Sequence, residues 1–185
     1  MSADWQLLTD RLRLRPYRAD DVGAMFEVFG DHEVMRFSMS GGDASIAVTQ
    51  ARIDKLIAHQ DKFGFSLWVV EDRATGAPLG DCGLKHLEDG PEVEVGYRFA
   101  KAHWGRGYAS EAAAASVRYG FQELQLPRIV AVVDPLNTAS CRVIEKIGLK
   151  YQHAALYYAR TLSYFALNRE DYREPSATAD ESTGR

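Results

Sequence analysis

The sequence is poor in cysteine, and this excludes two kinds of stabilising chemistry. Its 185 residues include two cysteines, Cys82 and Cys141. Two cysteines this far apart make neither a disulfide framework nor the close pairs that ligate a metal ion. We therefore expect no metal site, and we expect the protein to reside in a reducing compartment, the cytoplasm.

An excess of positive charge and long apolar runs are also missing. Lys and Arg number 22 against 26 Asp and Glu, a formal net charge of -4, so no positive field attracts nucleic acid. No uncharged apolar stretch approaches the length of a membrane span. Met1–Gln6 lack the basic and apolar regions of a secretion signal. We therefore expect neither a nucleic-acid partner nor a membrane anchor.

What the sequence does contain is an alternation of strand-like and helix-like segments. Apolar residues make up 46% of the chain, enough to fill one core. The periodicity of the apolar residues predicts strands over 12–15, 65–71, 78–87, 92–99, 128–133, 151–158 and 162–167, and helices over 22–29, 43–62, 110–124 and 138–147. This order predicts an α+β fold with a mixed, mostly antiparallel sheet of six to seven strands and about four flanking helices.

One stretch of the chain breaks the antiparallel pattern. The strand at 92–99, the helix at 110–124 and the strand at 128–133 form a crossover, which places its two strands parallel. The whole of residues 1–172 is expected to be one domain. Residues 173–185 contain no large apolar residue, so we expect a flexible tail.

The segment Trp-Gly-Arg-Gly-Tyr-Ala-Ser-Glu at 104–111 places two glycines directly before a helix. Backbone N–H groups at a helix N-terminus bind anions, and glycine lets a ligand approach the backbone. The same pattern also fits a plain helix entry in which the glycines only permit a positive φ, although the preceding strand and the crossover favour a ligand site. The missing G-x-G-x-x-G and Gly-Lys-Ser/Thr patterns exclude a dinucleotide fold and a Walker A loop.

Three blocks in order, at 95–98, 104–112 and 137–149, resemble the signature motifs of the GNAT superfamily. More narrowly, the chain resembles the branch of ribosomal-protein N-terminal (alanine/serine) acetyltransferases, to which the opening at 9–15 is also similar. The resemblance spans residues 9–172. It implies a GNAT-like sheet with one splayed parallel pair, and transfer of an acetyl group from acetyl-CoA to a primary amine in a ternary complex.

The resemblance also implies which residues hold acetyl-CoA. Amides at the glycine motif would bind the pyrophosphate, the strand near 95–99 would pair with the pantetheine amides, and residues of the helix after 137 would contact the pantetheine arm and the adenosine phosphates. The implied cofactor-binding residues are Val95, Tyr97, Phe99, Arg106, Gly107, Tyr108, Ala109, Ser110, Asn137 and Arg142, with Lys146 as a weaker addition. Trp104 stands where the superfamily often has Gln or Arg.

Glu94 and Ser140 are the candidate catalytic residues. Glu94 precedes Val95 and would face the acceptor if Val95 packs inward, so it could take the proton of the ammonium group; an ordinary exposed strand glutamate is the alternative. The tyrosine that many superfamily members use to protonate the thiolate is matched by Ile144. Ser140, one helical turn earlier, is then the natural donor, although a serine there can equally cap the helix.

Several other residues could contribute to an acceptor pocket. The aromatic candidates are Trp68, Tyr97, Tyr157 and Tyr158. Acidic residues between Asp81 and Glu94 would suit a cationic acceptor. Isolated histidines such as His86 and His103 more often satisfy local hydrogen bonds than act as bases, and Cys141 is expected to be a small buried hydrophobe.

The acceptor itself stays open between a protein N-terminus and a small amine. Two other classes of function also fit a phosphate-binding loop: a non-catalytic acyl-CoA-binding sensor, and a nucleotide-binding protein of different chemistry. A homodimer formed through the closing strands is possible on general grounds.

Overall fold

A computed structural model describes residues 5–38 and 41–174. Most of the predicted tail at 173–185 lies outside these residues. The strands of the described chain are β1 (Leu7–Leu8), β2 (Leu12–Arg15), β3 (Leu67–Asp72), β4 (Pro78–His86), β5 (Val93–Phe99), β6 (Arg128–Val133), β7 (Lys150–Tyr157) and β8 (Arg160–Asn168). Its α-helices are α1 (Val22–Phe29), α2 (Ile46–Phe63), α3 (Tyr108–Gln122) and α4 (Thr138–Lys146). None of the described helices is long and apolar enough to span a membrane.

The strands form one sheet in the order β1-β2-β3-β4-β5-β6-β8-β7. Neighbouring strands are antiparallel except β5 and β6, which run parallel and share one paired position, Glu94 beside Val130. The predicted α+β architecture and the predicted parallel pair are therefore confirmed. The described sheet has one strand more than predicted, because β1 has two residues and pairs only with β2.

Helices cover both faces of the sheet and create two apolar cores, and a third, smaller cluster lies around Val130, Tyr164 and Ala166. Successive residues of β3 alternate between the two cores: Trp68 and Val70 pack with α3, and Val69 packs with α1 and α2. Because both faces are covered, β3 is buried almost throughout.

Two helices begin at residues other than those predicted, for local reasons. α2 begins at Ile46 rather than Asp43. Asp43 is instead a buried acceptor of hydrogen bonds from Thr49 and Arg52. α3 begins at Tyr108 rather than at residue 110, because Gly107 in a left-handed conformation forms its N-cap.

Candidate active site

The loop that enters α3, called the glycine loop (residues 104–107), has a backbone that only glycine adopts easily. Gly105 and Gly107 have φ angles of 74° and 78°. A Cβ atom at Gly105 would meet no heavy atom within 4 Å, so positive φ rather than lack of space requires glycine there. The first N–H groups of α3, at 108–110, have no intrahelical acceptor and lie at the positive end of the helix dipole. Together these features make an anion-binding backbone.

A cavity of about 540 Å³, called the loop cavity, opens beside the glycine loop. The cavity is lined by most of the residues that the family resemblance implies hold acetyl-CoA, namely Tyr97, Phe99, Gly107, Tyr108, Ala109, Ser110, Asn137 and Arg142. Lys146 lines it as well. Val95 lines a different cavity, and Arg106 lines neither: its side chain is exposed, while its carbonyl oxygen accepts a hydrogen bond from Arg11.

A second cavity of about 680 Å³, called the larger cavity, lies between α2 and the region where β5 and β6 diverge. Glu94 lines it and is only 6% exposed. Its Oε1 atom accepts a hydrogen bond of 2.6 Å from the Tyr158 hydroxyl and lies 3.0 Å from Lys85 Nζ. The ammonium charge of Lys85 compensates the buried carboxylate, which would otherwise be costly to bury.

The pKa values of both partners respond to Glu94. Burial raises the pKa of the Tyr158 hydroxyl, and the neighbouring carboxylate raises it further. For Lys85 burial is the largest influence and works in the opposite direction, yet Glu94 and Tyr158 together outweigh it and the pKa of the amine is raised. Lys85 is therefore a fixed cation beside Glu94.

The two cavities meet at β5, at the start of α4 and at the segment after α1, where Val34 and Phe37 line both. Tyr97, Ser140 and Asn137 line both of them. The Tyr97 hydroxyl lies 2.8 Å from Ser140 Oγ, and burial raises the pKa of this hydroxyl. Asn137 caps α4, because its Oδ1 accepts a 3.1 Å hydrogen bond from the Ser140 amide. The Ser140 hydroxyl is thus held at the junction between the cavities.

Comparison with known proteins decides the family. The model of the acetyltransferase (GNAT) domain matches residues 11–150. The chain belongs to the GNAT acetyltransferase family. YkkB of Bacillus subtilis is 41% identical over 154 residues, 82% of this chain and 88% of YkkB. The N-acetyltransferase YoaA of the same organism is 36% identical over 154 residues, 82% of this chain and 86% of YoaA. The GNAT chain is accordingly an acetyl-CoA-dependent acetyltransferase.

Solved structures share the fold. An acetyltransferase from Agrobacterium tumefaciens superimposes with a TM-score of 0.79 at 28% identity, covering 91% of this chain and 96% of that one. The ribosomal-protein-S5-alanine acetyltransferase from Vibrio fischeri does so with a TM-score of 0.75 at 17% identity, covering 92% and 100%. Mycobacterium smegmatis RimJ in complex with CoA-disulfide gives 0.73 at 24% identity, covering 86% and 82%. The two less similar structures show a common fold alone.

The loop cavity suits the coenzyme A that GNAT enzymes use. Unpaired amides of the α3 N-terminus offer donors for a pyrophosphate, and Arg142 and Lys146 on the facing α4 add positive charge. Apolar side chains such as Phe99 and Val143 line the rest of the cavity. The residues present therefore fit the donor substrate.

The acidic residues between Asp81 and Glu94 do not form a charged wall for a cationic acceptor. Asp81 is fully buried and paired with Arg98, and Glu92 accepts a hydrogen bond from the Tyr164 hydroxyl. Asp89 is the exposed acid of this stretch that lines the larger cavity. Because Asp81 and Glu92 are paired inside the protein, Asp89 and Glu94 are the acids of this stretch that line the larger cavity and could face a cationic acceptor.

Only some of the aromatic candidates line the larger cavity. Tyr97 and Tyr158 do so. Trp68 is fully buried in the core with its indole N–H bonded to Gln60. Tyr157 stacks on Tyr164 instead.

A pair of histidines in the larger cavity escapes sequence analysis, because α2 and β4 bring together residues far apart in the chain. His59 Nε2 lies 3.1 Å from His86 Nδ1. His59 Nδ1 lies 2.7 Å from the Phe65 carbonyl oxygen, which can only accept, so this nitrogen carries a proton. His86 therefore has a local hydrogen-bond partner, as expected for an isolated histidine, and it lies in the wall of the larger cavity.

The stability of the protein should fall in mild acid because of His59. Burial lowers the pKa of His59; the neighbouring His86 and Lys85 lower it too, against the opposing Phe65 carbonyl and Asp89. The unfolded chain then takes up the proton first, so stability is complete above about pH 6.5 and is lost as the pH falls below it. We expect the drop in melting temperature between about pH 6.5 and 5.5 to shrink in His59→Gln. The same change at the exposed His32 is the control, and an equal response of both variants would contradict the assignment.

Proposed function

We propose that this GNAT enzyme transfers acetyl from acetyl-CoA to a primary amine by direct attack in a ternary complex. The observation that supports this most is the meeting of two cavities at Tyr97, Asn137 and Ser140. The donor would occupy the loop cavity and the amine the larger cavity. Both substrates could then be bound at once, with their reacting groups close together.

The backbone of the glycine loop and the first turn of α3 would bind the pyrophosphate. Arg142 would contact the adenosine phosphates, and the β5 backbone beyond Glu94, where β5 has no paired β6 position, would pair with the pantetheine amides. When bound, acetyl-CoA supplies a thioester whose carbonyl carbon is attacked by the amine.

Glu94 would take the proton that the ammonium group must lose before it can attack. Its described contacts with Lys85 and Tyr158 both use Oε1, and we assign proton acceptance to Oε2. Ser140 would donate its hydroxyl proton to the thiolate as the carbon–sulfur bond breaks, and the second proton that the attacking nitrogen loses would restore the hydroxyl. The Tyr97 hydroxyl, at 2.8 Å, is placed to hydrogen-bond Ser140 Oγ as it does so.

The proposed acceptor is a primary amine, either a protein N-terminus or a small molecule. Both thiols, Cys82 and Cys141, are free, which supports the cytoplasm as the site of action. Cys141 is half-buried, and burial raises its pKa, so we assign it no nucleophilic role.

Thermal melting with acetyl-CoA tests the donor assignment. A ligand at one hundred times its Kd adds about 2.7 kcal/mol to the free energy of unfolding. For a chain of this size that corresponds to a rise of about 5–10 °C in melting temperature. NAD and ATP at the same concentration serve as controls and should give no shift. Absence of a shift with acetyl-CoA at saturation would overturn the donor site.

A further inference from the structure

The turn between β1 and β2 packs against the glycine loop. The pairing of the two strands does not require this contact. Arg11 Nη1 donates a 3.0 Å hydrogen bond to the carbonyl oxygen of Arg106. The guanidinium carbon of Arg11 lies 4.7 Å from the centre of the Tyr108 ring. Arg11 therefore contacts the residues on both sides of Gly107, Arg106 of the loop and Tyr108 of α3.

Glu111, in the first turn of α3, is held by the same turn. Its Oε2 accepts a 2.7 Å hydrogen bond from Arg11 Nε and lies 2.6 Å from Arg11 Nη2. Its Oε1 accepts hydrogen bonds of 2.6 Å from the Thr9 hydroxyl and 3.1 Å from the Arg11 amide. Burial works to raise the pKa of Glu111, but these hydrogen bonds outweigh it and the pKa is lowered. Both oxygens of the Glu111 carboxylate therefore hydrogen-bond to the turn between β1 and β2.

Among the described residues, few side chains fix the conformation of the glycine loop. At its start the Trp104 indole donates a 2.8 Å hydrogen bond to the Phe99 carbonyl oxygen. Its two glycines have no side chains, and the nearest atom to a Cβ placed at Gly107 would be Arg11 Nη2, at 3.5 Å. Arg11 is accordingly the side chain that fastens the far end of the loop.

We propose that Arg11, locked by Thr9 and Glu111, is a positioning residue that holds the glycine loop ready for the pyrophosphate of acetyl-CoA. This inference rests on the proposed donor site. The contacts of Thr9 and Glu111 with Arg11, and of Arg11 with the glycine loop, are called the brace. A loop held in its binding conformation loses less entropy when the ligand binds, so the brace increases affinity without touching the reacting atoms. It also gives a role to the Thr9–Arg15 opening, which the catalytic assignment leaves unused.

Arg11→Met tests the brace, and Arg13→Met is a matched control. Both arginines form ion pairs with a glutamate, and their side chains are 47% and 41% exposed. Arg13 pairs with Glu71, which Arg15 also contacts, so its loss leaves the glycine loop untouched. We expect Arg11→Met to raise Kd and KM for acetyl-CoA about tenfold with kcat nearly unchanged, and Arg13→Met to match the wild type.

Acetyl-pantetheine, a donor without pyrophosphate or adenosine, separates positioning from general damage. Its kcat/KM should be the same for the wild type and both variants, because the brace acts only on the pyrophosphate site. A loss with acetyl-pantetheine equal to that with acetyl-CoA would overturn the proposal, as would unchanged acetyl-CoA affinity in Arg11→Met.

Glu111→Gln provides a second variant that keeps the side-chain shape and leaves Arg11 less firmly held. It should raise the KM for acetyl-CoA in the same direction as Arg11→Met. If Glu111→Gln has no effect while Arg11→Met does, Arg11 acts by its charge alone and the brace is refuted. Failure of the wild type to bind acetyl-CoA would instead refute the donor site.

Discussion

We expect Glu94→Gln to lower kcat for acetyl transfer by about 10²–10⁴-fold and to leave the affinity for acetyl-CoA unchanged. Glutamine has nearly the shape of glutamate but cannot accept the proton of the ammonium group. Glu94 lines the larger cavity and not the loop cavity, so the donor site should not sense the change. The measurement is the initial rate of thiol release with an amine that the wild type acetylates, alongside a titration with CoA.

Glu92→Gln is the control for this variant. Glu92 stands two residues earlier on the same face, bonds the Tyr164 hydroxyl, and does not line the larger cavity. It should retain full activity. Ser140→Ala should also lower kcat while still binding CoA, because the role proposed for Ser140 is to donate a proton to the departing thiolate. If Glu94→Gln and Glu92→Gln are equally active, Glu94 is not the proton acceptor.

We expect Asp81→Ala to lower the free energy of unfolding by about 3–5 kcal/mol. Asp81 is 0% exposed and accepts hydrogen bonds of 2.9 and 2.5 Å from the Arg98 guanidinium and of 3.1 Å from the Tyr17 hydroxyl. Its removal leaves the Arg98 guanidinium, whose side chain is only 17% exposed, without its counter-ion. Urea denaturation of the variant gives the midpoint and the slope needed to compare it with the wild type.

Two further variants make the Asp81 result decisive. Glu33→Ala breaks an ion pair with Lys101 in which both side chains are more than half exposed, and it should leave the midpoint almost unchanged. The double variant Asp81→Ala/Arg98→Met removes both buried charges and should recover much of the loss. A double variant no more stable than Asp81→Ala would show that an unpaired charge is not the cause.

The fold could be predicted from the sequence because local patterns and crossover geometry agree. The alternation in β2, the β-branched β6 and the alanine-rich α3 each indicate their own element. The crossover joining β5 to β6 requires a parallel pair. The short β1 has too few residues to show any period, and it exists only because β2 offers a partner.

The candidate site was predictable only in part. The glycine loop is contiguous in sequence, and its helix-entry pattern identifies it without tertiary information. The contact of Lys85 and Tyr158 with Glu94 depends on sheet register and on the turn after β7, where Tyr158 has a φ of 49°. The brace at Glu111 joins residues 100 or more positions apart. Such pairings follow from the assembled sheet and leave no local signal.

The two cavities share a few junction residues but have otherwise separate walls. The loop cavity is built from the glycine loop, β5, the segment at 33–37, α3 and α4, whereas the larger cavity takes most of its remaining wall from α2, the end of β4, residues 132–134 and Tyr158. On the proposed assignment of the amine to the larger cavity, substitutions in α2 would change which amine enters while most of the loop cavity stays intact. An enzyme divided in this way can acquire new acceptors during evolution, and α2 is the natural segment to randomise when a different acceptor is wanted.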